Sequence, residues 1–460
     1  MREVDRPSRP VKSAASQSLD DLSGARVLII GNTPPPHGGI AVHVQSLHDR
    51  LRELDAWVRV LSLGNQRQTP SIQGVANAPA LAAELASHAL IGFLPHLHIS
   101  GHTPKSWMIA AAVAALRRPG SPGPLLTLHS GMVPMFVRAQ WRRRFWFRAV
   151  ARGFSAIFAV NEEVAEAVRA MGFPGDKIRV LAAGFIPAAP GTPPPELEHL
   201  RRHALPLIVS AIAPGPIYAA RALVRALPQI ASRLPCARLA LFGPGPVAPL
   251  RSLAQSLGVL DRVAFLGELN RSQALAVMAQ GDLFLRATRA DGDAICVREA
   301  LCLGKPVVAS RVGVRPEGVH LFTPGDSGEM CRQIERAFAT SRAPGRLRRA
   351  LDAQARAEAD LDQVLHSYLA LLDDRPVPRR APIRQSPATT AALPCRATER
   401  CDETRQVFHR DASAARESPF GPRPNGNRPF SVPPPACPLR DGLNALVNAP
   451  RFDGEGLRKE

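Results

Sequence analysis

The chain has 460 residues, 45% of them hydrophobic, and a formal net charge of +19. That length accommodates two domains with full cores, and so large a basic excess calls for an anionic partner: nucleic acid, anionic lipid or a phosphorylated substrate. No zinc-finger spacing and no RNP-like aromatic motif is present, which argues against nucleic acid. The seven cysteines stand singly without a CxxC pair, which argues against a disulfide framework or a zinc site and fits a reducing cytoplasm.

Residues 1–24 are polar, without an apolar run of the signal-peptide kind, and are expected to be disordered. From 25 to 186 short apolar runs alternate with helical patterns, which predicts a parallel α/β domain. Its strands are expected at 26–32, 57–63, 90–98, 125–130, 156–161 and 178–185. Asn161 is placed to cap the helix that follows it and Gly172 to stop it. The short run 107-WMIAAAVAAL-116 falls well below the ~18 apolar residues of a membrane span and reads as a buried helix.

The Pro-rich stretch 187–205 reads as a linker. A second α/β run occupies 206–344, with strands expected at 206–212, 238–245, 263–269, 283–288 and 306–312. A charged helix is expected over 345–373. From 374 to 460 the chain is rich in Pro and Arg without sustained periodicity, the composition of a disordered tail. Two doubly wound domains imply a cleft at the carboxyl ends of their strands, where such sheets bind ligands.

Several stretches carry chemistry at those strand ends. Gly38 and Gly39 open a helix after the first strand, so free amides there can receive a phosphate or sugar hydroxyls; a tight turn without ligand is the plain alternative. His96 and His98 share one face of a strand, a pattern that raises zinc, but no third ligand follows from the spacing. His129 ends another strand and is the stronger candidate. In 136-FVRAQWRRRFWFRAVARGFSAIF-158, Arg142, Arg143 and Arg144 sit among Trp141 and Trp146. That is either a membrane-surface face or a solvated arginine face above core aromatics. In 289-RADGDAICVREALCLG-304, Asp291 precedes a helix that Asp293 is placed to cap and Gly304 to stop, with Glu299 two turns on. The Asp-Gly-Asp triplet fits a sugar contact, a cap or a metal clamp.

These pieces together resemble the GT-B glycosyltransferases, most closely the retaining family 4 (glycosyl transferases group 1), over roughly residues 25–372. The resemblance rests on 34-PPPHGGIAVH-43, 125-LLTLHSG-131, 155-SAIFAVNEEV-164, 238-RLALFGPG-245, 263-VAFLGEL-269 and the acid-x7-acid segment before 303-LGKPVVAS-310. It implies two Rossmann-like domains facing a cleft, the first on the acceptor side and the second binding a nucleotide-sugar. It implies transfer of a sugar, with retention, to a saccharide or lipid-linked acceptor in surface polysaccharide or glycolipid synthesis. Asp291 would contact the transferred sugar, Glu299 the ribose hydroxyls, and His129 the reacting sugar. Gly292, Asp293 and the amides of Ala294, Ile295, Cys296 and Val297 would hold the donor diphosphate, with Gly38 and Gly39 facing phosphate and acceptor. No metal and no separate cofactor is implied, because the nucleotide-sugar is itself a substrate.

The chain departs from the family where an Arg and a Lys normally serve the diphosphate. In 209-VSAIAPGPIYAARALVRAL-227, Ala211 and Tyr218 stand at those positions, with Arg289 and Arg221 as substitute cations. This departure keeps a donor-binding pseudoenzyme in view, beside a nucleotide-sugar C2-epimerase on the same fold. The enzyme is expected in the cytoplasm, peripheral on an anionic membrane face.

Overall fold

The computed structural model describes residues 18–64, 69–115, 122–340 and 344–373. The expectations for 1–17 and for the tail from 374 lie outside these residues. Leu19–Leu22 form a 3-10 turn with Leu22 fully buried, which corrects the expected disorder for residues 18–24. One apolar side chain in the core is enough to pin a turn that polar composition had hidden.

The first sheet has seven strands: β1 (Arg26–Gly31), β2 (Trp57–Ser62), β3 (Ile72–Gly74), β4 (Leu94–Ile99), β5 (Leu125–Leu128), β6 (Ala156–Ala159) and β7 (Ile178–Val180). Their order is β3-β2-β1-β4-β5-β6-β7, with every pairing parallel. Helices α1 (Gly39–Glu53), α2 (Ala78–Leu90), α3 (Pro104–Ala115), α4 (Val133–Ala139), α5 (Arg144–Arg152) and α6 (Glu162–Ala170) connect them. Strands β5 and β6 are buried at every residue, as a parallel sheet covered on both faces requires. Asn161 accepts from the Val164 amide at 2.8 Å to start α6, and Gly172 ends it at φ +82°.

The expected linker 187–205 carries a helix, α7 (Pro195–Arg202), whose Leu197 and Leu200 are buried. The prolines that signal a break also suit a helix's first turn, so α7 was hidden behind them. The second sheet follows with β8 (Leu207–Ala211), α8 (Ala220–Arg233), β9 (Arg238–Phe242), α9 (Val247–Ser256), β10 (Val263–Phe265) and α10 (Arg271–Gln280). It continues through β11 (Leu283–Arg286), α11 (Ile295–Cys302), β12 (Val307–Ser310), β13 (His320–Phe322) and α12 (Ser327–Thr340). Its order is β10-β9-β8-β11-β12-β13, again parallel throughout. The expected pair of doubly wound sheets is therefore present. Strand order reverses between β1 and β4 in the first sheet and between β8 and β11 in the second, and ligand crevices open at such switch points.

The last helix, α13 (Arg346–Asp373), returns to the first domain. Its Leu361, Val364, Leu365, Tyr368 and Leu369 share one core with Val27, Ile29 and Leu47. A buried ion-pair network ties α11 to this helix. Arg298 donates to Asp293 at 2.9 Å and to the Ala183 carbonyl at 3.1 Å, and its other terminal nitrogen pairs with Asp360 of α13. Asp293 also accepts from the Ala183 amide at 2.9 Å, and its side chain is only 1% exposed.

Removing one partner from such a network strands the others. Arg298→Met should lower unfolding free energy by about 3–5 kcal/mol in equilibrium urea titrations. Adding Asp293→Asn to that background should recover part of the loss, because one of the two stranded carboxylates is gone.

Candidate active site

The carboxyl ends of the two sheets meet through glycines. A Cβ on Gly131, in the loop after β5, would lie 2.0 Å from the Asp291 carbonyl oxygen. A Cβ on Gly292 would lie 2.2 Å from that of His129. Gly313 follows β12 with φ +62°, and its Cβ would come within 2.3 Å of the Asp291 carbonyl. Two backbones approach this closely only where side chains are absent. The His129 loop and the Asp291–Gly292 loop are thereby held against each other. Gly39, the first residue of α1, faces Ile295 at the start of α11, where a Cβ would find ordinary contact at 3.9 Å. Gly38 caps α1 in extended conformation, with open space where a side chain would stand.

Histidines fill the first-domain side. His98 and His129 share a hydrogen bond between Nδ1 and Nε2 at 3.2 Å. His43, which spacing did not single out, has its ring 5.3 Å from each of theirs. Its Nδ1–H donates to the Gly184 carbonyl at 2.6 Å, leaving Nε2 as the lone-pair nitrogen. His43, His98 and His129 offer ring nitrogens within 4.8 Å of one another, a set that could hold a metal ion. Of the strand pair His96 and His98, only His98 belongs to this set. His98 Nε2 is buried without a hydrogen-bond partner among the described residues. His96, by contrast, is spent on structure: its ring nitrogens bond Tyr368 Oη at 2.6 Å and Thr127 Oγ1 at 2.7 Å. Burial holds His43 down at about 4 and pushes His98 and His129 well below the ordinary histidine value. All three are neutral at neutral pH.

The second-domain side is built on α11 and the loop before it. Asp291 accepts from Arg286 Nε at 3.1 Å, from Arg315 at 3.0 Å and from the Thr288 hydroxyl at 3.2 Å. Burial opposes its charge, but the two guanidiniums outweigh that and hold its carboxyl below the ordinary value. Asp293 does not cap α11. The N-cap is Ala294, without a side-chain cap, because the Asp293 carboxylate is turned to Arg298 and Ala183. Ala294, Ile295 and Val297 are buried and Cys296 is half-buried. Gly304, at φ +65°, ends the helix as expected. Glu299, expected at the ribose hydroxyls, is buried and accepts from Arg271 Nε at 2.8 Å. Burial raises its carboxyl above the ordinary value, with Arg271 acting against the rise.

Neither expected substitute cation takes part in the ion pairs of this cluster among the described residues. Arg289 and Arg221 are exposed and make no ion pair among the described residues. Arg286, Arg315 and Arg271 stand there instead. Local spacing does not reveal them, since Arg286 merely ends an apolar strand and Arg315 lies 24 residues from its partner.

The arginine-aromatic stretch is broken into α4, a 3-10 turn at Trp141–Arg143, and α5, rather than one helix. Arg142, Arg143 and Arg144 are exposed, Phe145 is 70% and Trp146 41% exposed, and Phe147 is buried. The stretch therefore divides between a surface face and core packing. No helix among the described residues is long and apolar enough to cross a membrane. A cavity of about 430 Å³ around Arg26, Trp57 and Arg59 lies at the opposite, amino-terminal edge of the first sheet and contains none of these candidate residues.

Two family models match in tandem: "Glycosyl transferase 4-like domain" over residues 24–184 and "Glycosyl transferases group 1" over 205–340. The chain is similar to the GDP-mannose-dependent alpha-(1-6)-phosphatidylinositol monomannoside mannosyltransferase of Mycolicibacterium smegmatis. Identity is 36% over 105 residues, covering 21% of this chain and 28% of that protein. It is also similar to a phosphatidylinositol N-acetylglucosaminyltransferase component of Arabidopsis thaliana, 29% identical over 121 residues, 25% of this chain and 27% of that protein. The chain thus spans about a quarter of the length of these curated relatives. Among solved structures, HepE of Anabaena in complex with UDP and glucose superposes with TM-score 0.57 at 20% identity, covering 75% of this chain and 98% of that one. Sucrose-phosphate synthase of Thermosynechococcus elongatus gives TM-score 0.56 at 18% identity, over 76% and 98%. At these identities the structural likeness speaks for the fold, which is GT-B.

The buried histidines make stability depend on pH. The unfolded chain protonates His43 near 6.5, whereas the folded chain resists until about 4. Its contribution is therefore intact above pH 6.5 and lost as pH falls toward 4, on the order of 3 kcal/mol in all. His96, His98 and His129 act in the same direction. Thermal melts across this range should show a shallower pH dependence for His43→Gln than for the parent.

Proposed function

From the premise that the chain belongs to the glycosyl transferases group 1, family 4, we propose that it moves a hexosyl group from a nucleotide-sugar to a saccharide or lipid-linked acceptor, with retention. One observation carries this reading. The His129 loop and Gly39 of the first domain converge on the Asp291–Glu299 segment of the second, at the carboxyl ends of both sheets.

Among the described residues, Glu299 keeps one carboxylate oxygen free of protein partners while Arg271 holds the other, so it is oriented to accept from paired ribose hydroxyls. The uncapped start of α11 leaves amides for phosphate oxygens. His129, neutral and fixed by His98, orients the transferred sugar and the acceptor hydroxyl. Retention then needs no second carboxylate across the bond. The leaving diphosphate oxygen takes the acceptor proton as the new glycosidic bond forms and the old one breaks. The curated relatives named for phosphatidylinositol-type acceptors favour a lipid-linked acceptor, and glycolipid or surface polysaccharide as the product class. The exposed Arg142, Arg143 and Arg144 beside Phe145 and Trp146 suit a peripheral position on an anionic cytoplasmic membrane face.

Calorimetry with UDP and GDP tests the donor reading. One of them should bind the parent, and Glu299→Gln should weaken it by about tenfold to a hundredfold, the range for a hydrogen bond to a charged group. That variant should also melt lower, because Arg271 loses a buried counterion. Equal affinity in parent and variant would remove Glu299 from the donor site. Release of a C2-epimerised nucleotide-sugar without any acceptor would favour the epimerase instead. Separately, replacing Arg142, Arg143 and Arg144 with Gln should reduce sedimentation with phosphatidylserine vesicles, each arginine being worth about 1 kcal/mol near the surface. Unchanged binding would return this face to simple solvation.

A further inference from the structure

Around α11 the buried charges fall into three groups. Arg271 pairs with Glu299, one against one, and Arg298 faces two carboxylates, Asp293 and Asp360. The third group is unbalanced the other way: Arg286 and Arg315 share the single carboxylate of Asp291. All three residues are largely buried. Cys296 adds no countercharge, since burial pushes its thiol up and keeps it neutral. A buried positive excess is costly unless an anion completes it.

The two arginines differ in how far they are committed. Arg315 is anchored to the Ser310 and Val314 carbonyls and the Thr288 hydroxyl as well as to Asp291. Arg286 spends Nε and Nη2 on Asp291, and its Nη1 has no protein partner among the described residues. Its guanidinium lies 5.3 Å from the Tyr218 ring centroid, held as a plate against that face. Arg286 ends β11 and Tyr218 follows β8, so the plate stands at the switch point of the second sheet. The uncapped, buried start of α11 lies in the same loop cluster.

Building on the donor reading above, we infer that Arg286, steadied by Arg315 and Tyr218, supplies the cation that receives the donor's phosphate oxygens. It stands in for a basic pair absent from the segment after β8. Asp291 is then a positioning residue that aims the guanidinium, not a group that touches the transferred sugar. Tyr218, at a position where a cation would otherwise stand, becomes the support for one sourced from a neighbouring strand.

The full chain tests this by calorimetry with UDP and GDP, each alongside the matching nucleoside, and with inorganic pyrophosphate. Arg286→Gln should lose about tenfold to a hundredfold in nucleoside diphosphate affinity, lose pyrophosphate binding, and leave the nucleoside unchanged. Arg286→Lys, which keeps the charge but not the planar fork, should fall between the two. Arg221→Gln and Arg289→Gln should bind like the parent. Should Arg286→Gln fail to fold, the Lys variant decides: parental affinity in it overturns the proposal. So does a folded Arg286→Gln that binds diphosphate as the parent does, or a loss that appears in Arg289→Gln instead. In those cases the donor reading stands. A parent that binds neither UDP nor GDP overturns the donor reading and this inference with it.

Discussion

The arrangement depends on one buried guanidinium. Arg298 reaches from α11 to Asp360 on α13 and to Ala183 beyond β7, while Asp293 accepts from both Arg298 and the Ala183 amide. A hydrophobic replacement of all three charged groups could be as stable, because desolvation offsets most of the Coulombic gain. What the network supplies is direction. It fixes the start of α11 against the first domain, and that decides where Asp291, Cys296 and Glu299 point. The cost of misplacing any member is high, so the two domains have one favoured juxtaposition across this seam.

Close backbone contact then sets the site's scale. Gly131 on Asp291, Gly292 on His129 and Gly313 on Asp291 bring three strand-end loops together with no side chain between them. The chemical groups sit on strand ends, on α1 and α11, and on short loops that these close backbone contacts hold in place. The neutral histidine cluster and the arginine-rich cluster stand on opposite sides of the seam. An uncharged sugar suits the first and a diphosphate the second, so a nucleotide-sugar can be read as one ligand laid across both.

Much of this was legible in the sequence. The strands showed as short apolar runs, and Asn161, Gly172 and Gly304 marked helix ends through purely local chemistry. Asp291, Glu299 and His129 were singled out because they sit at strand ends or at helical spacing and match a family pattern; the structure brings the His129 loop against Asp291. What escaped depended on contacts far apart in the chain. His43 joins His98 and His129 only after β1, β4 and β5 are laid side by side. Arg298 looked like one more charge on a helix, although it is buried against a residue 62 positions away. Asp293 had the sequence of a cap, but a stronger partner drew it elsewhere. Arg286 ended a hydrophobic strand and carried no local signal, while the exposed Arg289 three residues later attracted the assignment.

The measurement that tests the account most directly is a crystal structure of the full chain with its preferred nucleoside diphosphate. The account predicts the diphosphate at the start of α11 beside Arg286, the ribose hydroxyls on Glu299, and the open end of the site facing His129. A nucleotide seated elsewhere, such as the cavity around Arg26, Trp57 and Arg59 at the amino-terminal edge of the first sheet, would contradict it.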